Sequence, residues 1–154
     1  MAVQDSVGDQ RAVVVGVDGS EGSRQALHWA LEEATLRKLP VRAVGVVQIH
    51  LVALSVPGYP YADETYINDL VDNVREMVAS EVELARAGFD VPISVEAVMG
   101  SPAEVLVEAS AAASMLVVGS RGHGGFAGLL LGSVSQECVS HAAVPVLVVR
   151  PPKK

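Results

Sequence analysis

Five short runs rich in valine and isoleucine alternate along this chain with segments whose apolar side chains recur at helical spacing. The runs predict buried strands over residues 11–18, 41–50, 92–99, 115–119 and 144–150. The intervening patterns predict helices over residues 26–37, 67–88, 101–113 and 134–142. This alternation predicts an α/β fold, a three-layer sandwich in which four helices cover both faces of a five-stranded, parallel, doubly wound sheet.

The length and composition of the chain predict a single domain. Its 154 residues are enough to bury a core, and half of them are hydrophobic. We expect residues 1–10 to form a flexible N-terminal tail and residues 11–151 to form the domain. No apolar run is long enough to cross a bilayer and no signal-peptide core is present, so we expect a cytoplasmic protein without membrane contacts. The one cysteine, Cys138, excludes an internal disulfide.

Charge is distributed unevenly along the chain, which has a formal net charge of −7. Residues 60–110 hold eleven acidic side chains and two arginines, which argues against binding a nucleic-acid backbone. Residues 111–154 hold Glu137 against four Lys or Arg side chains. This mildly basic segment suits a small phosphate ligand, and we expect no nucleic-acid partner.

A glycine-rich loop, Gly119–Ser133, joins the fourth predicted strand to the fourth predicted helix. Glycines let the backbone approach an anion closely and take positive φ angles, and a helix N-terminus directs N–H groups at it. No Gly-Lys-Ser/Thr occurs, so a cation would come from Arg121, His123 or a metal carried with the phosphates. Residues 122–127 match the dinucleotide pattern G-x-G-x-x-A but lack the helix and the later acidic residue that this pattern requires.

The first predicted strand ends at Asp18 and the fourth at Gly119, and both lead into turns at the same edge of the sheet, so the two segments could share one ligand. Asp18 and Ser133 each admit both a binding and a capping role. Ser133 precedes Gln136 by three residues, as in a capping box, and it could also contact a phosphate. Asp18 could cap the helix after the first strand, as could Ser20, or it could accept hydrogen bonds from ribose hydroxyls or an adenine amino group. No nucleophile–base pair and no metal-ligand spacing occur, so we expect neither a catalytic nor a metal site.

Three motifs together resemble the universal stress protein family. They are Val-Val-Val-Gly-Val-Asp-Gly-Ser at residues 13–20, the spacing G-x-x-G-(nine residues)-G-S at 119–133, and Val-Pro-Val-Leu-Val-Val at 144–149. The resemblance covers Ala12 to Arg150 and implies the branch that binds ATP or a related nucleotide (AMP or cAMP), with Mg²⁺ carried by the phosphates. Backbone at Val46 would hold the adenine. We place nine residues in the implied site: Gly16, Asp18, Val46, Gly119, Arg121, Gly122, Gly132, Ser133 and Val134.

The resemblance also implies a homodimer in which the last strands pair antiparallel. The apolar strand Val144–Val149 supports this expectation, because an uncovered edge invites pairing. We interpret the chain as a universal-stress-protein-like, nucleotide-binding stress-response module rather than an efficient enzyme. Nucleotide would order the Arg121–Leu131 loop and so alter the partner surface. The alternatives are a slow ATPase or adenylate-handling hydrolase of related fold, and a dimeric scaffold with an empty pocket.

Overall fold

The computed structural model describes residues 11–49, 64–123 and 128–152. Its strands are β1 (Val13–Gly16), β2 (Val41–Val47), β3 (Ile93–Met99), β4 (Met115–Gly119) and β5 (Val146–Val149). Its helices are α1 (Glu21–Arg37), α2 (Glu64–Ala85), α3 (Pro102–Ser110) and α4 (Ser133–His141). Within those three ranges, no helix is long and apolar enough to cross a membrane. The predicted tail, residues 1–10, lies outside the described residues, as does part of the glycine-rich loop.

The five strands form one parallel sheet in the order β3-β2-β1-β4-β5. Successive side chains of the central strand point to opposite faces. Val13 and Val15 therefore pack with α1 and α2, whereas Val14 packs with α3 and α4. All three valines are fully buried, because helices cover both faces. The predicted three-layer, doubly wound α/β fold is confirmed.

The strand order reverses at β1, with β2 on one side and β4 on the other. The chain leaves β1 for α1 on one face of the sheet, and it leaves β4 for α4 on the opposite face. The two connections therefore diverge and leave a crevice at the carboxyl ends of the strands, where ligands of such sheets bind.

Several elements are shorter than the sequence pattern predicts. The last strand begins at Val146 rather than Val144, because Pro145 has no N–H to donate to the ladder. The carbonyl of Pro145 still accepts a hydrogen bond from the Leu116 N–H at 2.9 Å. The helix α3 ends at Ser110 rather than near residue 113, and the Ser110 hydroxyl donates to the carbonyl of Val107 in its last turn.

Candidate functional site

A cavity of about 350 Å³ lies at the carboxyl ends of β1, β2 and β4 and at the head of α4. This is the position that the reversal of strand order predicts for a ligand. All nine residues that the sequence analysis placed in the site line this cavity: Gly16, Asp18, Val46, Gly119, Arg121, Gly122, Gly132, Ser133 and Val134.

Asp18 follows β1 and is held in place by the first turn of α1. Its Oδ1 accepts hydrogen bonds from the Ser20 N–H at 2.9 Å and from the Ser20 hydroxyl at 2.5 Å. The Ser20 hydroxyl oxygen in turn accepts the Ser23 N–H at 3.2 Å and caps the helix. Ser20 is therefore the cap of α1, and the carboxylate of Asp18 is left facing the cavity.

The carboxyl group of Asp18 is ionised at neutral pH. Burial by itself would raise the pKa of Asp18, but hydrogen bonds from Ser20 and Ser23, with a smaller electrostatic contribution from the nearby His123, together lower it. An ionised carboxylate can only accept hydrogen bonds. Its natural partners in a ligand are therefore hydroxyl or amino groups rather than phosphate oxygens.

The backbones of β4 and α1 cross without side chains between them. A Cβ at Gly119 would lie 2.7 Å from the carbonyl carbon of Gly22, and a Cβ at Gly22 would lie 2.5 Å from the carbonyl oxygen of Arg121. Both positions therefore need glycine for space. The sequence analysis missed Gly22, although a glycine in the first turn of a helix disfavours helix formation and so indicates some other requirement.

The carboxylate of Asp18 leaves no room for a side chain at position 122. A Cβ at Gly122 would approach Oδ2 of Asp18 to 2.6 Å. Its φ angle is not positive, and neither are those of Gly119 and Gly132, so the expected positive-φ turn is wrong for these three glycines. Among the described loop glycines only Gly128 has a positive φ angle, 99°. Close backbone approach, not left-handed geometry, explains the glycines that line the cavity.

The head of α4 differs from the predicted capping box. Gly132 is the N-cap, and no side chain caps the helix. Ser133 is the first helical residue, and the Gln136 side chain donates to the carbonyl of Leu131 at 3.2 Å. The capping-box prediction is wrong because Gly132 already holds the extended N-cap conformation, with φ −77° and ψ 169°. Within the described part of the chain, the Ser133 hydroxyl has no hydrogen-bond partner, and Ser133 lines the cavity.

The return of the glycine loop to α4 is fixed by a neighbouring serine. The hydroxyl of Ser135 is buried and lies 2.9 Å from the carbonyl oxygens of both Ser120 and Gly132. Gly132 N–H donates to the same Ser120 carbonyl at 2.6 Å. The start of the loop and the head of α4 are thus joined by direct hydrogen bonds.

The cavity also contains residues that the sequence analysis did not place there. They are Val17, Ser20, Ser23, Val44, Gln48, Pro102, Leu106, Val118 and Ser135, and His123, which the sequence analysis named as a possible source of positive charge, lines the cavity too. Alternation could have found Val44, which shares a face of β2 with Val46. Leu106 comes from the first turns of α3, and no local sequence signal connects that helix to the cavity.

The side chains that line the cavity offer too few metal ligands to hold a metal ion without a bound ligand that also coordinates it. Asp18 is the one carboxylate among the described residues that line the cavity, and its Oδ1 is already engaged by Ser20. The ranges 11–49, 64–123 and 128–152 contain no cluster of three or more His, Cys, Asp or Glu that could hold a metal. Mg²⁺ in proteins is commonly held by one or two carboxylates together with substrate phosphates.

The fold and the cavity define a doubly wound α/β protein with a glycine-lined ligand cavity at its switch point. The universal stress protein family model matches residues 10–150, and the chain belongs to that family. The universal stress protein Rv2005c of Mycobacterium tuberculosis (strain ATCC 25618 / H37Rv) is 40% identical over 144 residues, which cover 91% of this chain and 48% of that protein. The chain spans about half the length of the curated relatives that it matches.

Several solved structures share the fold of this chain. The protein MJ0577 is 23% identical, with a TM-score of 0.73, and the match covers 95% of this chain and 99% of that chain. A universal stress protein in complex with cAMP is 25% identical, with a TM-score of 0.58 and coverage of 91% and 96%. The Archaeoglobus fulgidus universal stress protein in complex with dAMP is 20% identical, with a TM-score of 0.53 and coverage of 90% and 96%.

Proposed function

We propose that this chain binds ATP or a related adenine nucleotide in the cavity and acts as a nucleotide-dependent stress-response module in the cytoplasm. The observation that carries the proposal is the convergence on one cavity of Asp18, the Gly119–Gly122 segment and the head of α4. The complexes of family members with cAMP and dAMP support an adenine nucleotide as the class of ligand. Residues 11–151 would form the nucleotide-binding domain.

The two ends of the cavity suit the two ends of a nucleotide. Adenine would lie beside the apolar residues Val46 and Leu106, and the ionised carboxylate of Asp18 would accept hydrogen bonds from ribose hydroxyls or the adenine amino group. The phosphates would lie between Gly122 and Ser133, where backbone N–H groups and the positive end of α4 favour negative charge. Arg121 would add a permanent positive charge.

A regulatory module is favoured over an efficient enzyme. Phosphoryl transfer requires placed metal ligands and a group that orients the nucleophile. The charged side chains among the described lining residues are Asp18, Arg121 and His123. Asp18 Oδ1 is engaged by Ser20 and its other oxygen is assigned to ribose or adenine, so Mg²⁺ would be held mainly by the phosphates rather than by the protein. Turnover of radiolabelled ATP at a steady rate well above the background would instead favour the ATPase alternative.

We further propose that two copies pair through β5, the last four residues of the predicted Val144–Val149 strand. β5 is the edge strand of the sheet. The carbonyl of Pro145 accepts a hydrogen bond from the Leu116 N–H of β4, and the carbonyl of Val149 accepts one from the Ser120 N–H just after β4. Backbone groups alternate in direction along a strand, so those of Val146 and Val148 face the free edge. An unpaired apolar edge of this kind favours antiparallel pairing with a second copy.

The nucleotide proposal is tested by calorimetric titration of the purified protein with ATP, AMP, cAMP and adenosine. Gly122→Val is the matched variant, because its Cβ would meet Asp18 Oδ2 at 2.6 Å and its methyl groups would occupy the space assigned to phosphate. We expect ATP to bind the wild type and not the variant, with both folded by circular dichroism. Equal ATP affinity for a folded Gly122→Val variant would remove this loop from the site. A wild type that binds none of the four ligands would overturn the proposed function.

A further inference from the structure

His123 joins the glycine loop to the end of β1. Its Nε2 lies 2.9 Å from the carbonyl oxygen of Asp18, across a separation of 105 residues in the chain. His123 lines the same cavity as Gly122 and Ser133. His123 is the one histidine among the described lining residues.

The contact with Asp18 determines which ring nitrogen of His123 carries the proton. A carbonyl oxygen can only accept, so Nε2 must be the donor, and Nδ1 of the neutral ring then holds a lone pair. That lone pair would repel a phosphate oxygen. A second proton reverses this situation, because it turns Nδ1 into an N–H donor and gives the ring a positive charge while the bond to Asp18 is kept.

We propose that His123 is a phosphate-binding residue of this cavity and that nucleotide affinity increases when its ring is protonated. The inference rests on the proposed nucleotide site and adds a ligand and a pH dependence to it. The other charged side chains among the described lining residues are Asp18, whose carboxylate favours the imidazolium, and Arg121, whose cation opposes it. A bound phosphate adds negative charge and therefore favours the protonated ring.

The direction of the pH dependence follows from this preference. A ligand that prefers the protonated ring binds most tightly at low pH, and the His123 contribution to affinity is lost as the ring deprotonates. A permanent cation at the same position would remove the pH dependence.

The test compares ATP dissociation constants of the wild type, His123→Gln and His123→Arg at about pH 6 and about pH 8. Glutamine can still donate to the Asp18 carbonyl, so the loop anchor is retained without a titrating group. Each result is expressed as the ratio of the variant Kd to the wild-type Kd at the same pH, which cancels the titration of ATP itself. His28→Gln on α1 makes the same substitution outside the cavity and is the matched control.

We expect His123→Gln to bind ATP about tenfold more weakly than the wild type at the lower pH and within about threefold at the higher pH. His123→Arg should bind tightly at both, and adenosine should show no change in any variant. In the ATP complex of the wild type, the nitrogen-15 shift of His123 Nδ1 should report a protonated ring at the lower pH. His28→Gln should match the wild type throughout.

A ratio for His123→Gln that is the same at both pH values, with ATP bound by the wild type, would overturn the inference and leave the proposed nucleotide site standing. His123 would then only anchor the loop. An Nδ1 that stays unprotonated in the complex would overturn it as well. A wild type that fails to bind ATP at either pH would overturn both the inference and the proposed function.

Discussion

Ser133 and Ser135 lie two residues apart at the head of α4, and their hydroxyls have different surroundings. Ser133 lines the cavity, and its hydroxyl has no hydrogen-bond partner in the described part of the chain, whereas the hydroxyl of Ser135 is buried between two carbonyls. Replacing each with alanine removes the same atom. The two variants should therefore separate phosphate binding from stability of the fold.

Ser133→Ala should weaken ATP binding and leave the fold intact. A hydrogen bond to a charged phosphate contributes about 1.5–3 kcal/mol, which corresponds to a loss of about 10- to 150-fold in affinity. Adenosine has no phosphate and should bind almost as before. Because the hydroxyl caps nothing, the free energy of unfolding should change by less than about 0.5 kcal/mol.

Ser135→Ala should have the opposite result. The carbonyl of Ser120 would keep its hydrogen bond from the Gly132 N–H, and the carbonyl of Gly132 would keep that from the Gln136 N–H, so no acceptor is left unpaired. The loss is then one ordinary buried hydrogen bond, about 1 kcal/mol, or about 2–4 °C in Tm for a domain of this size. The ratio of ATP to adenosine affinity should stay near the wild-type value.

Calorimetric titration of both ligands and thermal denaturation followed by circular dichroism measure both quantities on the same samples. The phosphate assignment for Ser133 is refuted if Ser133→Ala loses ATP and adenosine affinity by equal factors. It is also refuted if Ser133→Ala lowers Tm as much as Ser135→Ala does, because the hydroxyl would then be structural.

Two further predictions concern Asp18 and the β5 edge. Because the pKa of Asp18 is lowered in the folded protein, its ionised carboxylate stabilises the fold at pH values above the ordinary carboxyl pKa of about 4. This stabilisation is lost as the pH falls through the lowered pKa of the folded protein. Asp18→Asn should therefore flatten the acid side of the stability–pH curve and weaken ATP and adenosine equally, and an unchanged acid slope would contradict this. Val148→Pro should shift light scattering towards a monomer without unfolding it, because it removes an outward N–H, whereas Leu147→Pro should destabilise the monomer. A wild type that is monomeric at high concentration would exclude the β5 dimer.

The sequence was sufficient for the sheet and for the location of the cavity. Alternation of period two buries Val13 and Val15 on one face and Val14 on the other, and the strand–helix alternation then leaves little choice of topology. The carboxyl ends of parallel strands lie at the same edge of the sheet. The sequence alone therefore predicts that Asp18 and Gly122, which are far apart in the chain, lie close together.

The features that the sequence does not predict depend on where the helices begin and how they lie over the sheet. The crossing of Gly22 with Gly119 requires the position of the α1 axis over the sheet, and no local pattern encodes that distance. The choice between Gly132 and Ser133 as N-cap is a matter of a single residue, where capping patterns are least specific. Leu106 reaches the cavity only because α3 returns over β1.

Hydrogen bonds among the described residues orient several of the groups that line the cavity. The carboxylate of Asp18 is oriented by Ser20, the loop is tied to β1 through His123, and Ser135 ties the start of the loop to α4. Groups that are already ordered lose little further conformational freedom on binding. Differences in affinity among ATP, AMP and adenosine should therefore reflect the phosphate contacts themselves rather than the conformational entropy lost in ordering the site. For this reason we expect the single hydroxyl of Ser133 to distinguish ATP from adenosine.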